Sequence, residues 1–188
     1  HPPPTRPHSR TLPPLPSYPL AQSKFPSRAC AFHQVLVQTI LGSRFVGPMQ
    51  KRVDEWDRKL RLFSETLDEW LGVQRGWMYL ESIFKAADIQ RQLPNEYKQF
   101  DQVNKMWCEL MRKTSLDPTA LKCAQTSKLK DNLEKANVTL DRIQKNLEDY
   151  LETKRAAFPR FFFLSNDELL EILSEARNAQ AVQPHLIK

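Results

Sequence analysis

Residues 47–72 read "GPMQKRVDEWDRKLRLFSETLDEWLG". The apolar side chains Met49, Val53, Trp56, Leu60, Phe63, Leu67 and Trp70 recur at alternating intervals of four and three. Such a row lies on one face of an α-helix, so the stretch predicts a helix carrying a heptad seam. Pro48 suits the first helical turn, where its missing N–H is not needed, and Gly72 suits the stop. A helix of about 23 residues is ~35 Å long at a rise of 1.5 Å per residue. The acidic cluster Asp54, Glu55 and Asp57 falls on the polar face. A solvated surface is the better reading there than a general acid–base pair, because no histidine is near to tune it.

The spacing continues outward from this stretch. Val73, Trp77, Leu80, Phe84 and Ala87 again alternate by four and three. Gly72 and Gly76 leave two possibilities open, a sharp turn between two helices or a bent continuation. Leu93-Pro94 ends the second run, because the residue before a proline disfavours the α region. Pro94 then opens a third helix with Tyr97, Phe100, Val103, Trp107 and Leu110 inward. Asp117 as N-cap and Pro118 as first helical residue predict one short helix. Residues 127–157 predict a long helix with Leu129, Leu133, Ala136, Leu140, Ile143, Leu147 and Tyr150 on one face. Mixed charges on its other faces keep it solvated.

Phe158-Pro159 stops that helix, and "FPRFFFLSNDELLEIL" follows at residues 158–173. Arg160 to Leu164 is too short and too aromatic for a helix, so a short strand or extended plug is expected. Phe161, Phe162 and Phe163 are then expected to wedge a rigid corner. On this reading Phe162→Asp should unfold the corner, since an unpaired buried charge is costly. Ser165 and Glu168 form a capping box for a last helix. The expected fold class is all-α in the main. It is an elongated antiparallel helical bundle or rod of about five helices, with one short extended segment near residues 159–164.

Composition sets the remaining bounds. The chain of 188 residues is 40% hydrophobic and 27% charged, which is a globular balance. Val35 to Leu41 is the longest early apolar-rich stretch, and Gln38 and Thr39 interrupt it. Neither a membrane span nor a secretion signal is present in this pattern, so a soluble intracellular protein is expected. Residues 1–33 hold four of the 28 basic residues and none of the 22 acidic ones. The rest is nearly balanced, which argues against nucleic acid as a partner. Residues 1–26 hold nine of the 14 prolines. A proline-rich leader without regular structure is therefore expected over residues 1–33, ahead of a domain over 34–188. Its "LPPLP" (residues 12–16) could serve an aromatic-lined groove.

Candidate chemistry is sparse. Cys30, Cys108 and Cys123 form no CxxC pair, and His1, His8, His33 and His185 lie towards the ends, so free thiols are expected rather than a metal site. The chain contains no phosphate-binding G-x-x-x-x-G-K-[ST], no H-E-x-x-H and no G-x-S-x-G. The four tryptophans fall on seam positions and read as core, not as a stacking platform. No catalytic residue, no cofactor-binding residue and no metal ligand is assigned, and no enzyme activity is expected of this polypeptide.

Several separated motifs then form a family pattern. They are Trp56, Trp70, Gln74, Trp77, Leu80, Ile83 and Phe84; Asp88 and Ile89; Leu93, Pro94, Glu96 and Phe100; and Trp107. After these come "NVTLDRIQKNLEDYLETKRAAFPRFFFLSNDELLEIL" (137–173) and "VQPHL" (182–186). In this order they resemble the linker region of dynein heavy chains, of the axonemal type, over roughly residues 37–188. The resemblance implies a partial linker domain, a curved helical rod lying across a ring of AAA+ modules. ATP hydrolysis in that ring would change the bend of the rod and produce microtubule-based movement. It also implies partners, namely the ring of the same heavy chain and other dynein chains through the tail. Membrane and nucleic acid are not among them. The implied location is cytoplasm and cytoskeleton, in the axoneme of a cilium or flagellum. The proline-rich leader and Ala179, where axonemal relatives turn with a proline, depart from the pattern. A second reading of the seams is an independent helical scaffold that binds a partner without any motor role.

Overall fold

The computed structural model describes residues 24–174. Among these are seven α-helices and no strand: α1 (Lys24–Leu41), α2 (Gln50–Phe84), α3 (Ala87–Gln92), α4 (Pro94–Leu116), α5 (Ala120–Ala124), α6 (Leu129–Ala157) and α7 (Asn166–Ser174). Two 3-10 turns join them, Gly47–Met49 and Pro159–Phe163.

The long helices are α2, α4 and α6, and their directions follow from the side chains that meet. Trp77 Nε1 donates to Asn104 Oδ1 at 2.9 Å, and the Phe84 and Phe100 rings stack at 5.2 Å. Numbers rise along α2 as they fall along α4, so these two are antiparallel. Asn146 Nδ2 donates to Glu96 Oε1 in α4 at 3.1 Å, and further along α6 the Tyr150 hydroxyl donates to Gln92, at the end of α3 just before α4, so the chain here runs antiparallel to α6 as well. Lys130 meets Glu65 at 2.7 Å and Asn137 meets Glu69 at 2.6 Å, which makes α2 and α6 parallel. The core is thus an up–down–up trio. α1 packs along the first half of α2, and α3 and α7 close the other end.

The core is filled by the expected seams. Val73, Leu80 and Phe84 come from α2, Phe100, Val103 and Trp107 from α4, and Leu133, Leu140, Ile143 and Leu147 from α6. Burying each such side chain contributes about 1.5–3 kcal/mol. Leu151 is fully buried where Tyr150 had been expected to point inward. Tyr150 instead stands at the edge of the seam, with its hydroxyl on Gln92.

Gly72 does not stop the first helix. α2 runs unbroken for 35 residues, about 52 Å. Both glycines sit where α6 comes close. A Cβ on Gly72 would stand 2.9 Å from Asn137 Nδ2, and one on Gly76 would stand 3.2 Å from Leu140 Cδ1. They thin the helix for packing, and neighbouring residues with good helix propensity carry the chain through.

Further expectations are corrected. Met49 and Trp56 are 53% and 47% exposed, and Ala87 is exposed too. The short helix begins at Ala120, with Thr119 as N-cap. Asp117 instead accepts from the Thr119 N–H at 3.4 Å and pairs with Lys122, forming a turn over two residues. Residues 159–164 hold no extended plug but the 3-10 turn Pro159–Phe163. Pro159 presets a helical φ, and the Phe161 and Leu164 N–H groups bond back to the Phe158 and Phe161 carbonyls at 2.9 and 3.2 Å. Residues 24–33, placed in the leader by composition, are helical in α1. The rest of that leader, with "LPPLP", lies outside the described residues, as do Ala179 and "VQPHL".

Candidate functional site: the helix seam and the corner at Arg155

The corner between α6 and α7 is organised by a cation. Arg155 is 9% exposed at the end of α6. Its Nη2 donates to Leu164 O at 3.0 Å and to Asn166 Oδ1 at 2.7 Å. Its Nε donates to Phe161 O at 3.4 Å, and its Nη1 to Glu152 Oε1 at 2.9 Å. The planar guanidinium thus bonds the Phe161 and Leu164 carbonyls and the first residue of α7 at once. Leu164 is buried beneath it. Of the three phenylalanines only Phe161 packs, with its ring 4.8 Å from that of Phe158. Phe162 and Phe163 are 58% and 83% exposed, so they do not wedge the corner. The capping box is present as expected. The Ser165 N–H donates to Glu168 Oε2 at 3.0 Å and the Glu168 N–H to Ser165 Oγ at 3.2 Å.

The seam has its own polar pins. Asn137 Nδ2, above Gly72, donates to Glu69 O at 3.0 Å and to Glu69 Oε2 at 2.6 Å. The rings of Trp70 and Trp77 lie 5.2 and 6.4 Å from the ring of Trp107. The Trp77–Asn104 bond uses the indole N–H, which burial would otherwise leave without a partner. Burial, with Asp167 and Glu148 nearby, raises the Tyr79 hydroxyl above its ordinary range. Burial alone does the same for Tyr150 and for the Cys108 thiol. A thiol held in its neutral form is a poor nucleophile.

Arg155 and Asn137 were not singled out by sequence reasoning. Arg155 follows Leu151 by four, so it continues the seam of α6 with a charged residue. That is the signal that was available for it. Asn137 precedes Leu140 by three in the same way. The cysteines are unpaired: Cys30 is buried in α1 with its thiol 3.7 Å from Leu60 O, and Cys108 lies 3.6 Å from Asn104 Oδ1.

Among the described residues no group of three or more His, Cys, Asp or Glu side chains converges on a metal position. No described helix is long and apolar enough to cross a membrane. A shallow groove of about 270 Å³ lies between α2, α3 and α7. Ile83, Ile89 and Leu170 line it, with Ser82, Asp167 and Glu171 among its polar residues. It contains no histidine or cysteine to act as base or nucleophile. The arrangement is built to keep helices in fixed relation.

The order of seams, glycines and corner matches a known family. The profile of "Dynein heavy chain, N-terminal region 2" covers residues 27–188. The chain belongs to this family. Among curated dynein heavy chains, human "Dynein axonemal heavy chain 6" is 59% identical over 152 residues, 81% of this chain. Human "Dynein axonemal heavy chain 2" is 52% identical over 156 residues, and mouse "Dynein axonemal heavy chain 1" 46% over 156, each 83% of this chain. The chain spans 4% of the length of each of these relatives. The dynein match begins at residue 27, so most of α1 lies within the family region. The described part of this dynein region is a helical bundle of long seams and one stapled corner.

Proposed function

We propose that the chain is a mechanical linker segment of an axonemal dynein heavy chain. It is part of the lever that couples ATP-driven changes in an AAA+ ring, carried by the longer protein, to microtubule-based movement in a cilium or flagellum. The partners in this reading are the ring of the same heavy chain and, through the tail, other dynein chains. The location is the axoneme within the cytoskeleton. The observation that carries the reading is 59% identity to an axonemal heavy chain, over a stretch that folds as a continuous rod. A lever needs long helices locked side by side, and an unbroken α2 bound along α6 meets that need.

The test is a graft. Residues 27–188 replace the matching stretch of an axonemal heavy chain, and the purified motor is assayed for ATPase rate and microtubule gliding. Both are expected to persist. A folded graft that hydrolyses ATP normally yet never glides would overturn the reading and favour an independent scaffold.

A further inference from the structure

The last turn of α4 carries a pattern that packing does not require. Residues 112–116 read "RKTSL". Among the described residues, Ser115 is the only serine or threonine with a basic residue both three and two positions before it. Leu116, directly after it, is apolar and yet exposed. Ser115 is exposed too, and its hydroxyl donates back along the helix to Arg112 O at 2.8 Å. Thr114 beside it is half-buried, with its hydroxyl donating to Leu110 O at 3.0 Å and lying 3.6 Å from Cys123 Sγ.

This end of α4 opens easily. Trp107 is the last buried residue of the helix, so residues 112–117 can leave it without exposing a buried side chain. The two cations are accessible as well. Arg112 and Lys113 pair with Glu109 at 2.8 and 3.4 Å on the open surface. Exposed pairs of this kind contribute little, so a more strongly acidic partner displaces Glu109. Two cations, a free-standing hydroxyl and an apolar side chain in this order are a charge pattern by which an acidic kinase groove selects its substrate.

We propose that Ser115 is a phosphorylation site for a serine/threonine kinase with an acidic substrate groove, and that the phosphate unwinds the last turn of α4. Arg112 and Lys113 meet the carboxylates of the groove, and Leu116 enters an apolar pocket beside the transfer site. Ser115 Oγ forms a bond to the γ-phosphorus of ATP while the bond from that phosphorus to the bridging oxygen breaks. ADP leaves, and the hydroxyl proton passes to the catalytic carboxylate of the kinase. The phosphoester oxygen has no proton left for the Arg112 carbonyl, so a hydrogen bond becomes a repulsion. A near-dianionic group then stands at the negative end of α4, two residues before Asp117, and both the helix dipole and that carboxylate oppose it. Opening the turn relieves the strain. It also loosens the contact between Thr114 and Cys123 of α5, which packs on α2.

The full chain, incubated with ATP and a purified kinase of this selectivity, tests the proposal by peptide mass mapping and amide hydrogen exchange. One phosphate is expected at Ser115. Ser115→Ala is expected to abolish it, and Arg112→Gln to slow its addition roughly tenfold. Both substitutions fall on exposed positions, so the fold is not at stake. In the phosphorylated chain the amides of Ser115, Leu116 and Asp117 are expected to exchange several-fold faster, while those of α6 keep their rates. A synthetic peptide of residues 109–119 is the positive control for the kinase. Phosphorylation of that peptide but not of Ser115 in the folded chain would overturn the site. Phosphate on Ser115 with unchanged or slower amide exchange would overturn the unwinding, and would show that Arg112 has taken the phosphate as a partner instead.

Discussion

The two halves of α2 carry one spacing and reach different depths. From Val73 to Phe84 the row is enclosed by α3, α4 and α6, and Val73, Leu80 and Phe84 are almost fully buried. From Met49 to Trp70 only Val53 and Thr66 are buried. Thr66 stands in register with the buried row, three residues after Phe63 and four before Trp70, and its hydroxyl bonds back to Leu62 O at 2.7 Å. Trp56 lies open beneath Lys59, whose Nζ is 5.7 Å from the ring. Spacing therefore defines which face turns inward. Depth depends on how many neighbouring helices arrive to cover it, and that number is a property of the whole bundle.

The sharpest way to break this contrast is a pair of truncations. Trp107 is 2% exposed at the centre of the aromatic cluster, and Trp107→Ala is expected to lower stability by about 3–5 kcal/mol. Trp56→Ala should cost under about 1 kcal/mol. Urea midpoints of the two variants measure the difference, and equal losses would show that both halves of α2 are enclosed.

The corner offers a second contrast. Arg155→Met removes the side-chain donor of the Leu164 carbonyl and of Asn166, while the Phe161 carbonyl keeps the Leu164 N–H, and a loss of roughly 2–4 kcal/mol is expected. Phe162→Asp, which sequence reasoning marked as unfolding, should change stability by no more than about 0.5 kcal/mol, because the side chain is exposed. Thermal melts decide which residue holds the corner.

The smallest effect separates close packing from chain termination. Gly72→Leu must displace the Asn137 amide, and a loss of about 1–3 kcal/mol is expected. At Gly76 an added methyl meets Leu140 at 3.2 Å, while alanine gains about 1 kcal/mol of helix propensity over glycine. Gly76→Ala should therefore be near neutral. If both variants proved stabilising, the glycines would have no packing role.

Much of this fold was legible because its seams are regular. The inward faces of α4 and α6 were readable residue by residue, and so was the Ser165–Glu168 cap, because each depends on neighbours within a few positions. What could not be read depends on distant partners. Gly72 looks like a stop until Asn137 is seen above it. The aromatic run at Phe161–Phe163 looks like a wedge until Arg155 is found to occupy the space beneath the turn. The family pattern identified the region, yet it did not distinguish a buried aromatic from an exposed one.

The amide of Asn137 has a mechanical consequence. α2 and α6 run in the same direction, and this side chain bonds a backbone carbonyl of its neighbour, that of Glu69. For the pair to slide by one turn, ~5.4 Å, that bond must break and Asn137 must pass over side chains bulkier than Gly72. Tension applied to either helix is thus shared by both, and the pair resists bending as a bonded beam does rather than as two loose cables.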